Sequence, residues 1–387
     1  MRRNRWIAAG LFFLSLIAIS FYGGPVSYGF FFLMLIIPIV SALYTVIVFF
    51  RFKIYQKIDA KVTVAEKPVR FYFTLQNEDF FTFSGIKTDF FSDYSALSGL
   101  DPDTEFELFP HTGIKKNTRL VCKYRGEYEV GVKNVTVQDY LKLFSFTFRN
   151  RETITVTVVP QLVILDELPS FDALAVSDKQ TAAATEPDVP VREYIPGDDI
   201  RRINWKLTAA TGKPMVRGRT GESMPSVGII MDSHRISRNP SEFLPLENKL
   251  LETSLALAYY YVMRGIRVYF YAYSMAPFCH TIESTDAFEE FYNRISSFAF
   301  YEDSTSEKLF GFTEKDPELV NAGAVIFVIH KPDDPYVRQV SELKKNSVSV
   351  ATCLVTDEEV TDPEAIVIGY DDKLKEKLQA QGKGGIV

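Results

Sequence analysis

Residues 6–50 contain no Asp, Glu, Lys, Arg or His, and a single Gly23-Gly24-Pro25 break divides them into runs 6–22 and 26–50. Each run is near or above the ~17–25 residues a helix needs to cross a hydrocarbon core. A bilayer requires every backbone polar group to be satisfied within the segment, so two such runs joined by a tight turn predict a helical hairpin. Arg2, Arg3 and Arg5 precede the first run, and Arg51, Lys53 and Lys57 follow the second. The positive-inside rule then places both ends in the cytoplasm, in a multi-pass cell-membrane protein, with Trp6, Tyr22, Tyr28 and Tyr44 suited to the interfaces. A cleaved signal peptide fits the charged start, but no small-x-small site follows and the second run is left over. Neither run carries a charge for transport or a proton relay, so the hairpin reads as an anchor in the lipid bilayer.

Beyond residue 57 the pattern changes to period two. Val69, Phe71, Phe73 and Leu75 alternate with Arg70, Tyr72 and Thr74, and turn-forming clusters separate this run from others like it. Short strands at this spacing predict an all-β sandwich over 58–169. Residues 170–191 are rich in Ala, Ser, Thr and Asp and read as a connector. From residue 226 short apolar runs alternate with amphipathic helical patterns, which predicts a parallel, doubly wound α/β domain over 226–387. The chain is therefore expected to be multi-domain: a transmembrane hairpin 1–57, the sandwich, a connector and central segment 170–225, and the α/β domain. A net charge of −6 argues against a nucleic-acid partner. Cys122, Cys279 and Cys353 show no zinc or disulfide spacing, which suits a reducing compartment, and all three read as buried thiols.

The central segment has the densest mixture of arginines and carboxylates. Pro196-Gly197 suits the middle of a type II turn, and Asp198 or Asp199 can cap a short helix carrying Ile200, Ile203, Leu207 and Ala210. Arg201 and Arg202 fall in its first turn, where the macrodipole disfavours cations. Either nearby carboxylates neutralise them in a structural network or they meet an external partner. Arg192, Tyr194, Pro196, Gly197, Asp198, Asp199, Arg201, Ile203, Trp205, Lys206 and Ala209 together form a pattern that resembles the signature of the "domain of unknown function 58" family. Arg125-Gly126-Glu127-Tyr128, followed by Val135, Val137, Asp139 and Leu143-Phe144, resembles a second stretch of that family, with Lys142 where the family carries Gly.

The resemblance implies a von Willebrand factor type A-like fold for the α/β half. It also implies a MoxR-type AAA+ ATPase as partner, often beside a transglutaminase-like membrane protein. The expected role is a non-enzymatic scaffold or adaptor in protein assembly or remodelling, with no cofactor. Its partner-binding residues would be Arg192, Tyr194, Pro196, Gly197, Asp198, Asp199, Arg201, Trp205 and Lys206. In the type A fold a metal site follows the first strand at Asp-x-Ser-x-Ser. Here Asp232 matches, but His234 and Ile236 replace the serines, so the site reads as degenerate and Asp232 as a cap. His111, His234, His280 and His330 are scattered, and no Gly-x-Ser-x-Gly, P-loop or His-Glu-x-x-His occurs. The alternative is a metal-dependent ligand binder or hydrolase using Asp232 and the signature carboxylates.

Overall fold

The computed structural model describes residues 2–99, 104–169, 171, 191–193, 208, 213, 215–217, 226–314, 316–358 and 365–380, with backbone alone for 191–193, 216–217 and 380. The chain divides into two compact units, Met1–Gln161 and Leu162–Val387. Residues 162–169, grouped above with the sandwich, thus fall in the second unit. Leu165 and Leu168 are buried there with the α/β core, and the Leu168 N–H donates to the Tyr260 hydroxyl at 3.1 Å.

The first unit opens with α1 (Arg2–Tyr22) and α2 (Pro25–Arg51). Gly23 and Gly24 take φ of 49° and 121°, values that glycine alone adopts at little cost, and Pro25 starts α2. Both helices are long and apolar enough to cross a membrane. The strands that follow are β1 (Lys53–Ile58), β2 (Val62–Val64), β3 (Pro68–Gln76), β4 (Phe83–Phe90), β5 (Ser95–Ser98), β6 (Glu105–Leu108), β7 (Gly113–Cys122), β8 (Gly126–Val130), β9 (Val132–Gln138), β10 (Ser145–Arg149) and β11 (Ile154–Val159). They form three sheets, ordered β1-β3-β7-β5, β10-β9-β4-β6 and β2-β11-β8. Alternation decides which face is buried: Phe71, Phe73 and Leu75 of β3 enter one core with Phe83, Ile86, Val135, Val137 and Val156.

The base of the hairpin is tied to this β-rich part by polar contacts. Arg51 grips the Asp79 carboxylate through Nε at 3.0 and 3.1 Å and Nη2 at 2.5 Å. The Tyr44 hydroxyl donates to the Thr82 carbonyl and accepts from the Ser84 N–H, at 3.0 and 2.9 Å. Ser41 donates its hydroxyl to the buried Asp139, and Asn4 and Arg5 of α1 donate to the carbonyls of Leu141 and Leu143 at 2.8 and 2.7 Å.

The loop after β9 turns although Lys142 stands where the sequence resemblance leads to an expected glycine. Lys142 takes a φ of 53°, and its ammonium reaches both Glu105 oxygens at 3.0 and 2.9 Å. Left-handed backbone costs an L-residue about 1–2 kcal/mol, and an exposed ion pair returns only about 0–1 kcal/mol. Lys142→Gly should therefore unfold at higher denaturant than Lys142→Ala, which loses the same ion pair but keeps a Cβ. Equal midpoints would show that the left-handed turn stores no strain.

In the second unit, β12 (Val191–Glu193) and β13 (Met215–Arg217) pair antiparallel, with Arg192 opposite Val216, and so bring the two ends of the signature segment together. The α/β part comprises β14 (Ser226–Met231), α3 (Pro240–Val262), β15 (Arg267–Tyr273), β16 (Pro277–Ile282), α4 (Thr285–Ser296), α5 (Ser306–Thr313), α6 (Pro317–Asn321), β17 (Ala324–Ile329), α7 (Asp334–Lys345), β18 (Ser349–Val355), β19 (Ala365–Ile368) and α8 (Leu374–Ala380). Its sheet is ordered β16-β15-β14-β17-β18-β19. Apolar clusters cover both faces, one built on α3 and α4, the other on α5 and α7.

Two expectations need correction. The sheet is not wholly parallel: β16 runs antiparallel to β15, because a connection as short as 274–276 permits no crossover. Cys279 is exposed, not buried, since it lies on this edge strand, whereas Cys122 and Cys353 are buried. Helix α3 starts at Pro240, where Asn239 caps the first turn by accepting from the Ser241 N–H.

Candidate functional site

In an open α/β sheet, ligands favour the carboxyl edge where successive crossovers leave in opposite directions. Here that point lies between β14, which leads through α3 to β15, and β17, which leads through α7 to β18. These two strands are adjacent and parallel, with Met231 opposite Val328. Asp232 therefore emerges from β14 beside His330, which leaves the end of β17. Residues 98 positions apart become partners: His330 Nδ1 lies 2.5 Å from Asp232 Oδ2.

The other oxygen of Asp232 is also engaged. Oδ1 accepts from the His234 backbone N–H at 3.0 Å, and the Asp232 N–H donates to the Val328 carbonyl at 2.9 Å. An ionised carboxylate only accepts, so the short contact assigns the proton to Nδ1 of His330. The His234 ring stacks on that of His330 with centroids 6.2 Å apart, and its buried Nδ1 has no hydrogen-bond partner among the described residues. Ser233 turns its hydroxyl away, donating to the Tyr273 carbonyl and accepting from the Tyr273 N–H. Arg235 forks onto the buried Glu247 at 2.7 and 3.2 Å and covers the Phe243 ring. Among the described residues no hydroxyl or thiol is hydrogen-bonded to His330, and no group of three or more His, Cys, Asp or Glu side chains is arranged to hold a metal ion.

Burial lowers the His330 pKa, but the Asp232 hydrogen bond and charge, aided by Asp333, outweigh it and leave the pKa above the usual histidine value. The sign of the linkage follows. A folded pKa raised above about 6.5 gives stability that is complete below that pH and is lost as pH rises through the raised value. The stability gap between wild type and Asp232→Asn should therefore stay constant up to about pH 6.5 and narrow as the pH rises above it. Denaturation midpoints across a pH series check this; a gap that widens with pH would contradict the pairing.

Of the signature residues, Arg192 lies in β12, described as backbone only. Tyr194, Pro196, Gly197, Asp198, Asp199, Arg201, Trp205 and Lys206 lie outside the described residues, as does the short helix expected over 198–210 apart from Thr208. Thr208 Oγ1 accepts from the Met215 N–H at 3.0 Å, at the start of β13. Sequence reasoning located Asp232 but treated His234 and His330 as scattered, since adjacency of the first and fourth strands of this sheet cannot be read from spacing.

Residues 190–275 match the family model described as a protein of unknown function, DUF58. The chain carries a DUF58 domain. The match begins just before β12, includes the whole signature segment, and runs through β14 and α3 to the end of β15. It thus contains Asp232 and His234 of the carboxyl edge, while His330 lies beyond it. Comparison with curated proteins gave no match. The DUF58 region follows, in the same chain, two N-terminal helices apolar enough to cross a membrane.

Proposed function

We propose that this DUF58 protein is a membrane-anchored, cytoplasm-facing adaptor without enzymatic activity, acting with a MoxR-type AAA+ ATPase in the assembly or remodelling of other proteins. In this reading α1 and α2 cross the bilayer as a hairpin with both termini inside, supported by Arg2, Arg3 and Arg5 at one end and Arg51 and Lys53 at the other. Reporter fusions after Lys57 that are active only on the outer side would reject the orientation. The α/β unit is taken as von Willebrand factor type A-like. Its first strand is central, and Asp232 follows it where that fold places a metal-binding aspartate. A transglutaminase-like membrane protein is a further expected associate.

The observation that carries the adaptor reading is the state of Asp232. Both its oxygens are occupied, one by a histidine and one by a backbone amide, at the place where a metal-dependent binder needs free oxygen ligands. The competing metal-dependent binder or hydrolase would need His330 to yield its place. Calorimetry with Mg²⁺ or Mn²⁺ on the full chain in detergent separates the two. The adaptor reading expects no tight binding; micromolar affinity abolished by Asp232→Ala would overturn it. Affinity capture of the tagged full chain from membranes should bring down the ATPase, and its repeated absence would reject the partnership.

A further inference from the structure

The loops of the β-rich part that surround the hairpin base expose large apolar side chains. Phe80 is 82% exposed, Phe109 61%, Tyr140 56% and Leu141 48%. They belong to three loops, 77–82, 109–112 and 139–144, that are fastened to one another. Asn77 Nδ2 donates to the carbonyls of Phe81, Leu108 and Phe109 at 2.8, 3.0 and 3.1 Å. The His111 N–H donates to the Asp79 carbonyl, and the Tyr140 hydroxyl to the Thr82 carbonyl at 2.9 Å. The three loops therefore hold their side chains as one patch, not as independent tips.

The height of the 139–144 loop along the hairpin is fixed by contacts. Asn4 binds the Leu141 carbonyl and Arg5 the Leu143 carbonyl. The first residue of the apolar run, Trp6, follows directly and is 78% exposed. At a rise of about 1.5 Å per residue, the Leu141 backbone lies within about one helical turn of Trp6 along the α1 axis. That is the polar–apolar boundary of the helix, marked by the exposed Arg2, Arg3 and Arg5. Aromatic rings gather at such boundaries, where one end meets hydrocarbon and the other meets headgroups. The basic side chains beside them suit anionic headgroups.

We propose that loops 77–82, 109–112 and 139–144 dip into the headgroup region of the same bilayer face, giving the protein a second, interfacial membrane contact beside its hairpin. The inference rests on the membrane-spanning reading of α1 and α2. The occupant of the patch is lipid, because Tyr140 packs against Tyr44 of α2 with ring centroids 5.1 Å apart and the 139–144 loop sits at the height where α1 meets headgroups. Through Asp139 and Asp79 the loops also hold α2, so lipid contact would fix the orientation of the β-rich part over the membrane.

The test uses the full chain in vesicles of phosphatidylcholine and phosphatidylglycerol. An environment-sensitive fluorophore is placed at Leu141→Cys or Phe80→Cys in a Cys279→Ser background, which leaves only buried native thiols. Ala96→Cys serves as reference, since its partner Val121 is near the opposite end of β7 from the 109–112 loop. Labels at 141 and 80 should emit to the blue of the label at 96 and lose most of their intensity to lipids carrying a nitroxide high on the acyl chain. Quenching by aqueous iodide to the same degree as at 96 would overturn the proposal. So would a blue-shifted label indifferent to lipid nitroxide, which would show a protein occupant. Alkaline carbonate distinguishes the two levels: release of the chain sinks the spanning reading and this one together, whereas retention with an iodide-quenched label sinks the interfacial contact alone.

Discussion

Asp139→Ala is expected to lower the stability of the first unit by about 3–5 kcal/mol, since each buried donor left without an acceptor costs about 1–3 kcal/mol. Asp139 is 2% exposed and accepts from three donors: the Ser41 hydroxyl, the Leu141 N–H at 3.1 Å and the Phe144 N–H at 2.6 Å. The first belongs to α2 and the other two shape the loop that carries Lys142 at its left-handed position. Removing the carboxylate leaves all three unpaired at once. Asp139→Asn keeps one acceptor oxygen and the side-chain volume, so it should cost less than Asp139→Ala. Denaturation of the full chain in detergent gives both values. A loss for Asp139→Ala within about 0.5 kcal/mol, as for ordinary surface changes, would mean that the loop and α2 are held by something else.

The same residue illustrates what a sequence makes legible. Asp139 was visible as part of a family-like stretch, but its role as the clasp between α2 and the β-rich part was not, because Ser41 lies 98 residues away inside an apolar run. Period two in β3 and the apolar runs of β15, β17 and β19 marked strands because burial on one or both faces writes itself directly into the side-chain pattern. The hairpin was legible for the same reason. The edge strand β16 was not: Pro277 to Ile282 includes a half-exposed face and reads neither as a buried strand nor as a helix. Nor were the short helices α5 and α6, which are too brief for a helical period to emerge. Lys142 shows the opposite limit. A lysine is unsuited to a left-handed turn, yet the surrounding hydrogen bonds hold the backbone there regardless.

The carboxyl edge divides in the same way. That Asp232 ends the first strand of the α/β sheet follows from an apolar run closing on a carboxylate. That His330 meets it requires knowing that β17 lies beside β14, which only the sheet order provides. Charge pairing between Arg235 and Glu247 likewise depends on how α3 crosses the sheet. For the signature, the antiparallel pairing of β12 with β13 gives the frame, and the chemistry of Asp198, Arg201 and Trp205 remains an expectation drawn from residue types.

That expectation is specific. Arg201 and Arg202 oppose the dipole of the helix they are expected to start, beside a lone large aromatic. The proposed explanation is that Trp205 and the Arg201–Asp198/Asp199 cluster dock the segment onto the α/β fold and thereby shape the surface an ATPase recognises. Truncating a buried tryptophan costs about 3–5 kcal/mol, and leaving one member of a buried ion pair alone costs a similar amount. Trp205→Ala and Asp198→Ala should then both lower the melting temperature of the full chain. A surface hot spot made of the same residue types would leave melting nearly unchanged, within about 0.5 kcal/mol, while removing the partner. The decisive measurement is the affinity of a purified MoxR-type ATPase for the full-length protein and for these two variants, with melting recorded on the same samples. The adaptor account predicts binding to the wild type and weakened binding together with lowered melting in both variants. Unchanged melting with lost binding would replace docking by a direct contact, and absence of binding to the wild type would contradict the adaptor role itself.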